Sequence, residues 1–270
     1  QIPARDPELG PMIRSLFLPE EGEQWAAIDF SQQEPRILVH YAHVYGRTRG
    51  LELEGAADFV AAYRNRPETD FHSMVAEMAN IARKQAKTIN LGLIYGMGVN
   101  RLSEQLDIPV DEAKALVKQY HNRVPFVKGL MTGVMNRLND KASGGALRSI
   151  LGRKCRFDLW EPDTFEMTKA LPFKDAVDAY GPTTRLKRAY TYKALNRLIQ
   201  ASAADMTKKA MVDMYKKGKL PLIQIHDEIA MSVKSEAEAK EIAEIMVQAV
   251  PLEVPSQCDI EIGPSWGEAK

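Results

Sequence analysis

The sequence predicts an α+β fold in which an antiparallel sheet, built from strands near the two ends of the chain, carries a mainly helical lobe inserted between them. Three observations predict it. Glu23 to Phe30 (EQWAAIDF) alternates so that Trp25, Ala27 and Asp29 share one strand face. Leu222 to Val233 (LIQIHDEIAMSV) sets two β-rich runs around His226, Asp227 and Glu228, the pattern of a tight hairpin. Between them, residues 56–63, 71–95 and 110–120 carry apolar side chains at helical spacing.

Taken in order, the strand at 23–30 runs into Ser31 and Glu34, an S-x-x-E capping box, with Pro35 in a first turn where its missing N–H does no harm. Pro67, Pro109 and Pro125 punctuate the helical stretches. Residues 144–180 are mixed, with a strand pair around Leu147 to Phe157 and a charged, proline-bearing loop behind it. Tyr190 to Lys217 reads as one long helix stopped by Gly218 at the C′ position. The hairpin follows, then an amphipathic helix over Ser235 to Val250 and a last strand near Gln257 to Ile262.

Composition limits the function classes. With 270 residues, 45% apolar and 27% charged, the chain can bury a full core in one large domain or two lobes. Lys plus Arg and Asp plus Glu number 36 each, so net charge announces no nucleic-acid partner, although a balanced total can hide a basic face and an acidic pit. Cys155 and Cys258 are too few for a disulfide framework or a four-ligand zinc site, which points to a reducing compartment. No apolar run approaches ~18 residues, so a soluble cytoplasmic protein is expected, with no membrane partner. Opening at Gln1 instead of Met, the chain reads as a fragment of something longer.

Two stretches carry chemistry. An aspartate closing a buried strand is unfavourable unless paired, and Asp29 and Asp227, on separate strands, can hold a pair of divalent metals. Adjacent carboxylates at Asp227 and Glu228 raise the same demand for a cation. In Arg83 to Gly96 (RKQAKTINLGLIYG), the residues Arg83, Lys87, Leu91 and Tyr95 recur every four positions and form a stripe ~18 Å long. Two cations, an apolar side chain and an aromatic ring follow in the order that holds a phosphate tail at one end and a sugar and base at the other. An isolated helix of this kind also reads as a solvated basic turn grading into a packed end. Gly92, Gly96 and Gly98 make no dinucleotide site, because they end a helix and no G-x-x-x-x-G-K-[ST] occurs.

In combination these elements resemble the polymerase domain of family A DNA polymerases, of the bacterial DNA polymerase I and T-odd phage type. DFSQQEPR (29–36) looks like motif A, RKQAKTINLGLIYG (83–96) like motif B and QIHDE (224–228) like motif C. Gln1 to Glu20 is similar to the segment leading into motif A, Tyr192 to Asp205 to a helix bearing a primer-template glutamine, and IGPSWGEAK (262–270) to the family's closing G-x-x-W-x-x-A-H. The resemblance implies a right-hand architecture: palm over 1–45 and 191–270, an antiparallel palm sheet, fingers over 46–190 with an O-type helix at 71–95, and the thumb absent. It implies template-directed DNA synthesis, nucleotidyl transfer from a dNTP to a primer 3′-hydroxyl, in phage or bacterial DNA replication within the host cytoplasm. Partners are primer-template DNA, dNTPs and a processivity factor or helicase.

The resemblance also assigns roles. Two Mg²⁺ ions are implied on Asp29, Asp227 and the Phe30 carbonyl, with Glu228 near them in a secondary role. Arg83, Lys87 and His72 contact the triphosphate, and Lys87 serves as proton donor to pyrophosphate. Leu91 lies against the sugar, while Glu34 and Tyr95 close the space beside C2′. Asn196 and Gln200, one turn apart, read the minor groove at the primer end, and His226 belongs to the same primer-template group. The resemblance extends to Arg153 and Arg188 as supports for phosphates or template. Departures are Leu91 for the usual Phe or Tyr, and Gln33 and Pro35 for Ile and Leu. Two alternatives stand beside this reading: a catalytically silent DNA- and dNTP-binding polymerase remnant, and a single-subunit phage-type RNA polymerase, against which Glu34 and the HDE ending argue.

Overall fold

The computed structural model describes residues 6–50, 53–140, 143–164 and 166–269, the side chains of Arg49 and Ala79 apart. Gln1 and Lys270, the ends of the first and last stretches that carry the resemblance, lie outside the described residues. In chain order the first elements are α1 (Leu9–Arg14), β1 (Gln24–Phe30), α2 (Gln33–Arg49), α3 (Ala56–Asn65), α4 (Phe71–Ala79), α5 (Arg83–Ile94) and α6 (Val99–Leu106). There follow α7 (Val110–Arg123), α8 (Pro125–Asn139), β2 (Ala146–Arg148), β3 (Lys154–Arg156), β4 (Leu159–Pro162), β5 (Leu171–Pro172), α9 (Phe173–Tyr180) and β6 (Leu186–Arg188). Last come α10 (Ala194–Lys216), β7 (Ile223–Ile225), β8 (Glu228–Val233), α11 (Glu236–Gln248) and β9 (Cys258–Gly263). None of the described helices is long and apolar enough to cross a membrane.

The chain divides into two compact units: Gln1–His40, Val60–Thr69 and Ala203–Lys270 form the first, Tyr41–Phe59 and Asp70–Ser202 the second. Against the expected 1–45, 46–190 and 191–270, residues 41–45 and 191–202 fall in the second unit and residues 60–69 in the first. For 60–69 the reason is local. Tyr63 lies beneath the Arg36 guanidinium at 4.7 Å, Arg64 pairs with Glu253 at 2.8 Å, and the Pro67 carbonyl accepts from Arg36 at 2.7 Å.

The first unit is built on an antiparallel sheet in the order β7-β8-β1-β9. As one of the two inner strands, β1 is buried almost throughout. Trp25 and Ala27 pack with Ala230, Trp266 and Ala269 on one face, while Ala26, Ile28 and Phe30 are buried on the other. Helix α11 packs on β1, β8 and β9, burying Ile242, Ile245 and Met246. Between β7 and β8 the pairing of Ile225 with Glu228 leaves His226 and Asp227 as a two-residue turn, and His226 takes φ 55. The Gln224 side-chain amide donates to the His226 carbonyl at 2.6 Å and closes that turn.

Two local expectations fail. The stretch 71–95 is two helices, because Asn80 turns left-handed (φ 51) and the Ile81 N–H returns to the Ala76 carbonyl at 3.0 Å, ending α4 before α5 begins at Arg83. Asn tolerates that conformation, and apolar spacing does not register it. Ser31 makes no capping box: its hydroxyl donates to the Asp259 carboxylate, its N–H to the Gln257 carbonyl, and Gln32 (φ 51) bends the chain before α2 starts at Gln33. The long helix begins at Ala194, after a 3-10 turn at Thr191–Lys193, and ends as expected before Gly218, φ 74.

In the second unit α4 packs on α5 and α7, and α7 on α8. The mixed stretch resolves into a β2–β3 hairpin and a small sheet ordered β5-β4-β6 with α9 against it.

Gly263 ends β9 where the chain doubles back to seat Trp266, and a Cβ there falls 2.6 Å from the Glu268 backbone. Gly263→Ala is therefore expected to lower stability by about 1–3 kcal/mol, read as a drop in thermal midpoint; an unchanged midpoint contradicts this packing.

Candidate active site

Sheet register places three carboxylates in one row. Asp29, second to last in β1, pairs with Glu228 on β8 and with Asp259 on β9. Residues directly opposite share a face, so these side chains stand together, and Asp227 joins them from the turn. The Asp29 carboxyl is pushed up to about 7, by burial first and then by the charges of Asp227, Glu228 and Asp259; Asp227 is near enough to share a proton with it.

The four acids are not equivalent. Glu228 accepts from the Trp266 indole N–H at 2.8 Å, and Asp259 accepts from the Ser31 hydroxyl. Asp29 faces Asp227 instead, and its Oδ1 is buried with no hydrogen-bond partner. An unpaired buried carboxylate oxygen beside a second carboxylate is what a hard cation relieves. Among the described residues no group of three or more His, Cys, Asp and Glu is placed to hold one ion, and the facing pair Asp29 and Asp227 offers two carboxylates. That donor set fits Mg²⁺, which keeps waters and takes one or two carboxylates with substrate phosphate. Phe30, the next residue, is buried and pairs with Cys258, whose thiol is pushed up to about 12 by burial and then by Asp29, so it stays protonated and is no thiolate ligand.

Among the described residues Arg36 is the buried cation of this unit, 2% exposed. It does not neutralise Asp29, because its donors are committed: Nε to the Ser31 carbonyl at 2.9 Å, Nη1 to the Pro255 carbonyl, and Nη2 to the Pro67 carbonyl and Gln257. It thereby fixes the β1–α2 turn that presents Phe30 and Glu34. Gln33, the departure from an apolar residue, is buried with its amide reaching the Ala203 carbonyl and Thr207 hydroxyl, both at 3.4 Å. Glu34, half-buried, sits in the first turn of α2, and His226 is exposed at the hairpin tip.

The second unit carries the cationic helix. Arg83, Lys87 and Leu91 share a face of α5, and Tyr95 is its C-cap. Arg83 donates Nε to Asp70 at 2.6 Å. Against burial, which alone raises it, that bond and those from Ser73 hold the Asp70 carboxyl at about 2. Lys87 is exposed; Leu91 and Tyr95 are half-buried. His72 is buried, its Nδ1 2.9 Å from the Asn90 side-chain nitrogen, and its pKa is lowered by burial and, against the opposing charge of Asp70, by Lys87 and Arg83, which favours the neutral ring. On α10, Gln200 is exposed, and Asn196 keeps a buried Oδ1 without a hydrogen-bond partner. Arg153 donates to the Ala201 carbonyl at 2.8 Å, and Arg188 stacks on Trp160 at 4.4 Å and donates to the Phe157 carbonyl. Sequence reasoning gave no part to Arg36, Asp259 or the Trp266–Glu228 bond; the alternation of Cys258-Asp259-Ile260 was the one available signal for the second.

The sequence matches the family described as DNA polymerase family A over residues 1–268. A DNA-directed DNA polymerase of Pseudomonas phage M6 is 38% identical over 307 aligned residues, which span 100% of this chain and 42% of that protein. The thermostable DNA polymerase I of Thermus aquaticus is 30% identical, over 100% of this chain and 30% of its own length. Among solved structures, the POL domain of Pol1 from M. smegmatis, in complex with DNA primer-template and dNTP, superposes with a TM-score of 0.74 at 28% identity, over 99% of this chain and 44% of that one. The chain thus spans less than half the length of these relatives.

Because burial and repulsion raise Asp29 to about 7 in the fold, against ~3.9 in an open chain, this group opposes folding. Its unfavourable contribution is absent below about pH 4, grows between about pH 4 and 7, and is complete above. Asp29→Asn is expected to stabilise the metal-free protein by ~1–2 kcal/mol at pH 7.5, after allowance for partial exposure, with the gain vanishing near pH 4. Chemical denaturation at the two pH values checks it; equal midpoints at pH 7.5 contradict it.

Proposed function

Since the chain belongs to DNA polymerase family A, we propose that it carries the chemical centre of template-directed DNA synthesis. The reaction joins the primer 3′-oxygen to the α-phosphorus of a dNTP, breaks the bond to the β-phosphate oxygen and releases pyrophosphate. The observation that carries this reading is the Asp29–Asp227 pair, with the Asp29 Oδ1 buried and unpartnered. In it the unit bearing the four-stranded sheet is the palm and the unit bearing α5 the fingers.

Bound at those two carboxylates, a pair of Mg²⁺ ions supplies Lewis-acid activation of the 3′-hydroxyl and charge neutralisation at the phosphates. Asp29 and Asp227 hold them, with the Phe30 carbonyl as a further oxygen. Glu228, tied to Trp266, stays in place beside the pair and keeps the field negative. The Arg36 bonds hold the turn that carries these groups rigid.

On α5, Arg83 and Lys87 take the triphosphate oxygens, and Lys87, exposed at the middle of the stripe, hands a proton to the leaving pyrophosphate. Arg83 exchanges Asp70 for phosphate, a comparable charge-assisted partner. His72, being neutral, contributes a hydrogen bond and not a charge. Leu91 is assigned to the sugar, and Tyr95 and Glu34 to exclusion of the ribose 2′-hydroxyl. Gln200, exposed on α10, and Asn196 one turn before it offer side-chain amide N–H donors to the minor-groove acceptors, and His226 supports the primer terminus.

Single-turnover extension of a hairpin primer-template by one nucleotide, with protein in excess and Mg²⁺ present, tests the reading. Asp227→Asn is expected to slow incorporation by ~10³-fold or more; a variant as fast as the parent removes Asp227 from the chemistry. Leu91→Tyr, which restores a phenol beside the sugar, is expected to raise dideoxynucleotide use relative to dNTP, and equal ratios reject the placement of Leu91.

A further inference from the structure

The second unit holds a cleft of about 610 Å³ to which the polymerase reading assigns no role. Its volume falls in the ~300–1,000 Å³ range of small-ligand sites. Arg137, Arg148 and Lys154 bring positive charge to its wall, Tyr41 and Tyr45 bring aromatic surface, and its lining among the described residues includes no carboxylate.

The hairpin makes this more than a solvated rim. Arg148 and Lys154 are directly opposed across β2 and β3, and Arg156, opposite Ala146, continues the row on the same face. Like charges facing each other ~5 Å apart across a strand pair are destabilising, so this arrangement favours an anion between or along them. The neighbouring side, with Leu147 and Cys155, turns inward: Leu147 is buried and the Cys155 thiol approaches the Arg197 carbonyl. Arg137 is offset in part by Asp140 at 3.0 Å, whereas among the described residues the bond of Arg148 goes to a neutral carbonyl, that of Gly152.

The aromatic walls are held in place. The Tyr41 hydroxyl bonds the Ser202 hydroxyl at 2.7 Å, and Tyr45 lies so close to α8 that a Cβ at Gly133 falls 2.4 Å from its ring carbon. Fixed rings beside a cationic row are the pairing that captures nucleotide units, bases against the rings and phosphates on the cations.

We propose that this cleft binds a segment of single-stranded nucleic acid through its phosphates and bases, apart from the carboxylate site. The test is fluorescence anisotropy of a labelled oligothymidylate of eight nucleotides against the 270-residue chain. Arg148→Gln/Lys154→Gln, on an exposed hairpin, is expected to weaken binding roughly tenfold or more and to flatten the salt dependence by about 1.4, ~0.7 for each phosphate released. An unchanged affinity and slope overturns the proposal. Should that variant melt early, Arg148→Lys/Lys154→Arg keeps the charge and is expected to bind as the parent does; a loss equal to that of the Gln pair overturns it. Competition by dTMP as effective, per phosphate, as by the oligomer points to a free nucleotide and overturns the strand assignment, and equal competition by inorganic phosphate overturns any role for the rings. Asp29→Asn, which removes the proposed chemistry, is expected to retain oligomer binding, so failure of one assignment is distinguishable from failure of the other.

Discussion

The first unit depends on an electrostatic debt at the end of β1. Register with β8 and β9 sets Asp29 against Glu228 and Asp259, and a two-residue turn brings in Asp227. Arg36, buried in the same unit, is committed to carbonyls of the loops around it. A sheet packed on both faces cannot move this strand to relieve such repulsion, so the metal-free chain relieves it by holding a proton, with Asp29 raised to about 7, and a cation bound there would take that proton's place. Stability and chemistry are coupled here: the feature that opposes folding in the metal-free chain is the one that invites metal.

Much of the sheet was legible in the sequence because its signals are local. The alternation of EQWAAIDF, the β-rich runs of LIQIHDEIAMSV and the glycine at 218 each act within a few residues, and β1, the β7–β8 hairpin and the end of α10 follow them. The break at Asn80 escaped because apolar spacing continues through it while the backbone reverses hand. Ser31 escaped for a different reason: a capping serine and a strand-end serine have the same neighbours in sequence, and only Asp259, from the far end of the chain, decides between them. The small strands between Leu159 and Arg188 are too short to carry a period, and they rest on contacts such as Arg188 over Trp160.

The residues of the candidate site divide in the same way between local and distant signals. Asp29, Asp227, Arg83 and Lys87 stand in motifs whose chemistry is readable from residue type and spacing. Arg36, Asp259 and Trp266 act through register and burial, which no local window contains. Arg36 shows the difference well. As one cation in a charged octapeptide it has no signature, yet it ties α3, the β1–α2 turn and the approach to β9 together. His72 makes the converse point, since a histidine suited by type to meet phosphate is buried, neutral and paired with Asn90.

The central claim is that Asp29 and Asp227 jointly hold a divalent cation, and thermal melting of the metal-free chain against increasing Mg²⁺ at pH 7.5 tests it most directly. Binding to the folded state alone raises the midpoint in a saturable way. The account predicts that rise in the parent and its loss in the Asp29→Asn/Asp227→Asn double variant. A parent that does not respond, or a double variant that rises by the same amount, would contradict it.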